Sequence, residues 1–224
     1  MIDLQILYED NHLIAVNKPA GMLSQGDVTG DVSIDSLTKL YLKKKYNKPG
    51  NVYCSLIHRL DRPTSGVLLM ARTTKAMQRM SAIFKNREIK KVYWALTKNR
   101  PRITKNTLEH RLLRNNKKNI TRIVKKYHED AKKAILEYEM KQAFKNKTLI
   151  EVHPKTGRQH QIRVQLAFIG CPIIGDLKYG YPTANHDLSI CLHARSLEFI
   201  HPVKKENIRL TAAVPSNDLW EEFK

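Results

Sequence analysis

The segment His58-Arg59-Leu60-Asp61-Arg62-Pro63-Thr64-Ser65-Gly66 sets one carboxylate between two arginines, just ahead of a turn. A carboxylate so placed can act as a nucleophile, forming a covalent intermediate that divides one difficult displacement into two easier ones. Asp61 is the candidate nucleophile. At strand period Ile57, Arg59 and Asp61 project to one face and Leu56, His58 and Leu60 to the other, so guanidinium and carboxylate are expected to share a surface. Pro63 disfavours helical geometry at Arg62, Thr64-Ser65-Gly66 supplies turn residues, and Val67 to Ala71 reads as a buried apolar strand. The carboxylate is therefore expected near a loop that a ligand can reach. Ser65 is a poor candidate for a hydrolase nucleophile, because its neighbours do not make a G-x-S-x-G turn.

Four further blocks carry reactive or cationic side chains: Asn17-Lys18-Pro19-Ala20-Gly21, Lys91-Val92-Tyr93-Trp94-Ala95-Leu96, Lys155-Thr156-Gly157-Arg158-Gln159-His160-Gln161-Ile162-Arg163 and Gly175-Asp176-Leu177-Lys178-Tyr179-Gly180. With the Asp61 segment they cover nearly the whole chain, and in type and order they resemble the RluA family of RNA pseudouridine synthases. The resemblance implies that Asp61 attacks a target uridine and that Arg163 pairs with the Asp61 carboxylate to keep it ionised. It also implies that Tyr93 is the active-site tyrosine, stacking on uracil and taking part in removal of the C5 proton. For Arg163 the alternative is a pair with a surface acid or a phosphate; for Tyr93 it is a half-buried core ring.

Isomerisation of uridine breaks the N1–C1′ bond, turns the base within the site and joins C5 to C1′, with no redox change and no net hydrolysis. No metal or organic cofactor is expected. Attack by Asp61 at C1′, attack at C6 and a glycal route all remain open. The target base must leave its stack to be reached, and Arg59 is the candidate to enter the space it vacates, a simple phosphate contact being the alternative. Arg62, Lys18 and Lys178 are further expected RNA contacts. Arg158 and His160 are expected to position either the helix that follows or the RNA backbone. His58 is read as a packed residue facing away from Asp61.

Charge points the same way. Across 224 residues, 40 Lys plus Arg against 21 Asp plus Glu leave a net +19, with a sequence pI near 9.9, which indicates a polyanionic partner. Residues 98 to 147 concentrate this excess, with 16 Lys or Arg against 5 Asp or Glu, and read as an electrostatic footprint for phosphates. The partner expected is RNA, ribosomal or transfer. No apolar run approaches about 18 residues and the N-terminus has no signal-peptide pattern, so a cytoplasmic protein off the membrane is expected. Cys54, Cys171 and Cys191 are odd in number and lack C-x-x-C spacing, which fits reduced thiols better than disulfides or zinc. Nothing signals a subunit interface, and a monomer is expected.

The elements that must hold these residues follow from periodicity. Gln5 to Tyr8 and Leu13 to Val16 read as an opening hairpin. Apolar residues at helical spacing predict amphipathic helices over 33–46 and 74–86. Alternation over 134–144, followed by Thr148 to His153, predicts a half-buried hairpin. Thr156 with Gln159 fits a capping box and Gly170 with Pro172 a stop, predicting a helix over 157–169 that carries Arg163. Gln165 departs from relatives, in which a His often stands there. Hairpins and helices without a βαβ repeat indicate an α+β fold. The resemblance implies the mixed, largely antiparallel central sheet with flanking helices of the pseudouridine synthase catalytic fold. Residues 1–224 are expected to form one catalytic domain without the small S4-type RNA-binding domain that many relatives carry first.

Two other classes fit parts of the pattern. One is a non-catalytic RNA-binding or ribosome-assembly protein of the same fold; the joint presence of Asp61, Tyr93 and Arg163 argues against it. The other is a nucleoside hydrolase or glycosylase, which would have little use for a charge of +19 on a small neutral substrate.

Overall fold

The computed structural model describes residues 4–28, 30–125 and 127–224. In chain order its elements are β1 (Ile6–Glu9), β2 (Leu13–Lys18), α1 (Ile34–Lys45), β3 (Ser55–Leu56), β4 (Ser65–Ala71), α2 (Thr74–Lys85), β5 (Lys90–Thr97), β6 (Lys105–Asn115), β7 (Ile120–Val124), β8 (Lys132–Phe144), β9 (Lys147–Pro154), α3 (Gln161–Phe168), a one-turn 3-10 helix at Leu177–Tyr179, β10 (Leu192–Ile200), β11 (Asn207–Thr211) and a second 3-10 turn at Glu221–Phe223. The fold is α+β and its strand pairing largely antiparallel, as the sequence indicated. The chain divides into two compact units, Met1–Lys90 with Ala194–Pro215 and Lys91–His193 with Ser216–Lys224. Among the described residues no helix is long and apolar enough to cross a membrane.

In the first unit β1 and β2 form the expected hairpin, and β2 pairs antiparallel with β4 from Leu13 opposite Ala71 to Lys18 opposite Gly66. All seven residues of β4 are buried, because β2 and β3 both pair with it and its side chains enter the core on both faces. Gly66 has φ +114, and a Cβ there would lie 2.3 Å from the Ala194 carbonyl oxygen, so only glycine fits this close approach. Helix α2 begins at Thr73, whose Oγ1 accepts from the Ala76 amide at 3.1 Å. It buries Ala76 and Met80 against Leu13, Val67, Leu69 and Phe199. Helix α1 is capped at Ser33, whose amide donates to Ser36 Oγ, and ends on Lys43, Lys44 and Lys45, the sign favoured at a C-terminus.

In the second unit the sheet order is β5-β9-β8-β6-β7. The β8–β9 pair is the predicted half-buried hairpin, with Ala134, Leu136 and Tyr138 inward. Leu112 of β6 and Ala134 of β8 pack with Val164 of α3, and Ile123 and Tyr179 close over them. Helix α3 starts four residues later than expected, and Thr156 with Gln159 forms no capping box. The Thr156 hydroxyl instead accepts the Ile135 amide at 2.9 Å and donates to Gln161 Oε1 at 2.7 Å. Gln161 Oε1 also accepts the Arg158 amide. His160, left-handed at φ 52, becomes the N-cap.

Candidate functional site

Asp61 lies in the loop between β3 and β4, within the first unit. The strand expected to carry Arg59 and Asp61 on one face stops at Leu56, and residues 57–64 are irregular. That arrangement is corrected by a set of backbone clamps. Ser24 Oγ donates to the Leu60 carbonyl at 2.8 Å and accepts the Leu60 amide at 3.1 Å, which takes both of that residue's main-chain groups out of any ladder. The Thr64 amide closes a turn onto the Asp61 carbonyl at 3.0 Å, and the Gly21 amide donates to the Arg62 carbonyl at 2.8 Å. The peptide on either side of Asp61 is therefore held through its main chain, and the residue is half-buried. Arg59 is exposed. Arg62 pairs with Asp31 at 2.9 Å and donates from Nε to the Gly21 carbonyl. His58 is packed as expected: its ring stacks on Phe84, and Nε2 accepts the Leu69 amide.

Lys18 departs from its expected role as a phosphate contact. It is fully buried, and its ammonium donates to the carbonyls of Pro19, Met22 and Arg62 at 2.9, 2.7 and 3.1 Å. All three protons are spent on the turn and on the residue next to Asp61, so the side chain braces the loop. Burial pushes its pKa down to about 7, opposed by the nearby Asp61 charge and assisted by Arg62. Between pH 7 and the ordinary value of 10.5 the unfolded chain then binds a proton that the folded chain lacks, so stability rises with pH across that window. Urea unfolding of wild type beside Lys18→Met should show the difference moving in favour of wild type as pH rises from about 7 to about 10. A constant difference would show that the buried ammonium carries no such penalty.

In the second unit Tyr93 stands on β5 opposite Val152 of β9. Val92, Tyr93 and Trp94 are all half-buried, so the expected alternation between a site face and a core face is weak here. Arg163, 5% exposed, points its Nε and Nη2 at Asp176, 1% exposed, at 2.7 and 2.8 Å. Two parallel hydrogen bonds of this kind fix the guanidinium plane, and Nη1 takes no part in them. The Tyr179 ring lies under the guanidinium at 5.0 Å. The Tyr179 hydroxyl accepts the Thr121 amide at 2.9 Å and is 2.8 Å from His160 Nδ1. Arg158 donates to the Lys133 carbonyl, and Lys178 to the Asn119 carbonyl at 3.1 Å. Gln165, the departure from the family pattern, bonds His110 Nδ1 and donates to the Leu108 carbonyl.

Arg158, His160, Arg163 and Lys178 are thus gathered around β6, β7 and β8, while Lys18, Asp61 and Arg62 share one loop system. Asp176, Tyr179 and Ser24 were not singled out from sequence. The first two lie inside a recognised block, so their signal was present, whereas Ser24 is an ordinary serine in an irregular stretch.

The distribution of positive charge is uneven in space as well as in sequence. Lys105, Lys133, Lys141 and Lys155 each pair with a glutamate on the sheet. Arg111, Arg114, Lys117, Lys118 and Arg122 on the β6–β7 hairpin are exposed, and among the described residues none is in an ion pair. Lys126, part of the same basic segment, lies outside the described residues.

Residues 12–168 match the family model described as RNA pseudouridylate synthase. The chain belongs to this family, whose members isomerise uridine in RNA. It is 34% identical over 215 residues to ribosomal large subunit pseudouridine synthase C of Buchnera aphidicola subsp. Baizongia pistaciae, covering 92% of this chain and 66% of that protein. It is 36% identical to the protein of the same name from Rickettsia prowazekii, covering 94% and 68%. The chain thus spans about two thirds of the length of these relatives. Among solved structures, human RNA pseudouridylate synthase domain containing 4 superposes with a TM-score of 0.79 at 25% identity, over 95% of this chain and 89% of that one.

Proposed function

We propose that this chain converts uridine to pseudouridine in large-subunit ribosomal RNA, with Asp61 as nucleophile. The observation that carries the reading is the Asp61 loop, a family-matched carboxylate whose main chain is clamped from both sides while the side chain stays half-buried. A nucleophile must be held within a fraction of an ångström of its productive position, and a fixed backbone achieves that. Arg163 serves as counter-cation of Asp61, its plane set by Asp176. Tyr93 stacks on the turning base and takes part in the C5 proton transfer. Arg59, exposed in the same loop as Asp61, enters the space of the flipped nucleotide. The cations of the β6–β7 hairpin bind phosphate, with Arg158, His160 and Lys178 holding the surface around them, and Arg62 contacts the RNA from the Asp61 loop.

The two compact units act together as one catalytic domain in this reading, which is supported by a family match running through parts of both. The choice of ribosomal over transfer RNA rests on the names of the two bacterial relatives. A monomer in the cytoplasm, where that RNA is found, is the acting species proposed. The test is tritium release from RNA labelled at uridine C5, offered as separate large-subunit ribosomal and transfer RNA transcripts. Release from ribosomal RNA is expected. Release from transfer RNA alone would move the substrate, and tight, salt-sensitive binding without any release would favour a non-catalytic RNA-binding protein.

A further inference from the structure

The hairpin that carries the unpaired cations is fastened to the residues around Arg163 at three points near its tip. The Tyr179 hydroxyl accepts the Thr121 amide at the start of β7. Lys178 Nζ donates to the Asn119 carbonyl, and Gln159 Nε2 donates to Asn119 Oδ1 at 2.8 Å. Asn119 is itself left-handed at φ 45, so its side chain and carbonyl are presented by a bend of the backbone. On the other side of the same tyrosine lies the Arg163 guanidinium, held between the Tyr179 ring and the Asp176 carboxylate. His160, the N-cap of the helix that bears Arg163, meets Tyr179 edge to face at 5.6 Å and shares its hydroxyl. One side chain therefore touches the hairpin through its hydroxyl, the arginine through its ring and the helix start through both.

We propose that Tyr179 is a positioning residue that ties the cation-bearing β6–β7 hairpin to Arg163, so that RNA held on the hairpin sets the position of the guanidinium. The inference rests on the uridine-isomerising reading above and on the hairpin as its phosphate-binding element. Its consequence is that phosphate contacts made at the hairpin contribute to turnover as well as to affinity. A hydrogen bond from a fixed main-chain amide transmits displacement, and the stacked ring has little freedom to absorb it, since Tyr179 is also packed against Leu112, Ala134 and Val164.

Tyr179→Phe keeps the ring over Arg163 and removes only the hydroxyl, so packing is preserved. Steady-state tritium release from a folded ribosomal RNA fragment should show kcat falling roughly tenfold, in the range expected for losing the hydroxyl's bonds to Thr121 and His160, with KM within about twofold. The decisive comparison adds Lys117→Ala/Lys118→Ala at the hairpin tip. In the wild-type background this pair should lower kcat and raise KM; in the Tyr179→Phe background it should raise KM alone. An equal effect on kcat in both backgrounds would overturn the proposal, as would a Tyr179→Phe enzyme with normal kcat. If Tyr179→Phe melts early, Gln159→Ala removes one Asn119 tie without touching a proposed RNA contact, and a kcat effect of the Lys117/Lys118 pair that is undiminished in that background would overturn the proposal. Absence of release by wild type from any RNA would instead overturn the underlying assignment of activity, which separates the two failures.

Discussion

Asp61→Asn should lower tritium release by about four orders of magnitude or more while leaving the fold and RNA affinity intact, because loss of a covalent nucleophile is among the largest single-residue effects in enzymes. The structure makes the variant a clean one. The Asp61 carbonyl accepts from the Thr64 amide, and the flanking Leu60 and Arg62 main chains are held by Ser24 and Gly21, through bonds that do not involve the carboxylate. Asparagine matches aspartate in size, and removing a negative charge from a surface that binds a polyanion should leave RNA binding equal or slightly tighter. The measurement is release from C5-labelled RNA under single-turnover conditions, with a binding isotherm on the same RNA and a thermal melt. Release at the wild-type rate would remove Asp61 from the reaction. Lost release with a melting point well below that of wild type would assign the residue to the loop instead of the chemistry. The variant also removes the negative charge that supports the protonated form of Lys18.

Much of this fold was legible locally. Helices α1 and α2 follow their apolar spacing and end within a residue of the expected bounds of 33–46 and 74–86. Strand β4 and the β8–β9 hairpin follow from runs of two-residue alternation and buried apolar sequence. The misreadings have one physical origin, a side chain or main-chain group claimed by a partner distant in sequence. Residues 57–61 alternate as a strand would, yet Ser24 takes both main-chain groups of Leu60. Thr156 has the spacing of a cap, yet Ile135 of the neighbouring strand uses its hydroxyl. Lys18 has the chemistry of a phosphate contact, yet three carbonyls brought together by folding enclose its ammonium. The residue types at the candidate site were readable, whereas what holds each of them became visible only with the strand pairings.

Arg163 is where holding and chemistry can be separated. Arg163→Ala should lower kcat by about a thousandfold and should also destabilise the protein by about 3–5 kcal/mol, because it strands the Asp176 carboxylate, only 1% exposed, without its two hydrogen bonds. Lysine is no remedy, since a point charge cannot reproduce the pair of parallel bonds that sets the guanidinium plane. The single variant is therefore ambiguous by itself: low activity could follow from a loosened helix α3 as well as from a missing counter-cation for Asp61. Arg163→Gln/Asp176→Asn resolves it. Two neutral amide side chains can hydrogen-bond to each other in that buried place, so thermal stability should return most of the way to wild type, while tritium release should stay near the level of Arg163→Ala. Recovery of both stability and release would show that the arginine only holds α3 in place, and the counter-cation role would fall. Recovery of stability alone would fix the guanidinium charge as part of the reaction, with Asp176 as the residue that aims it.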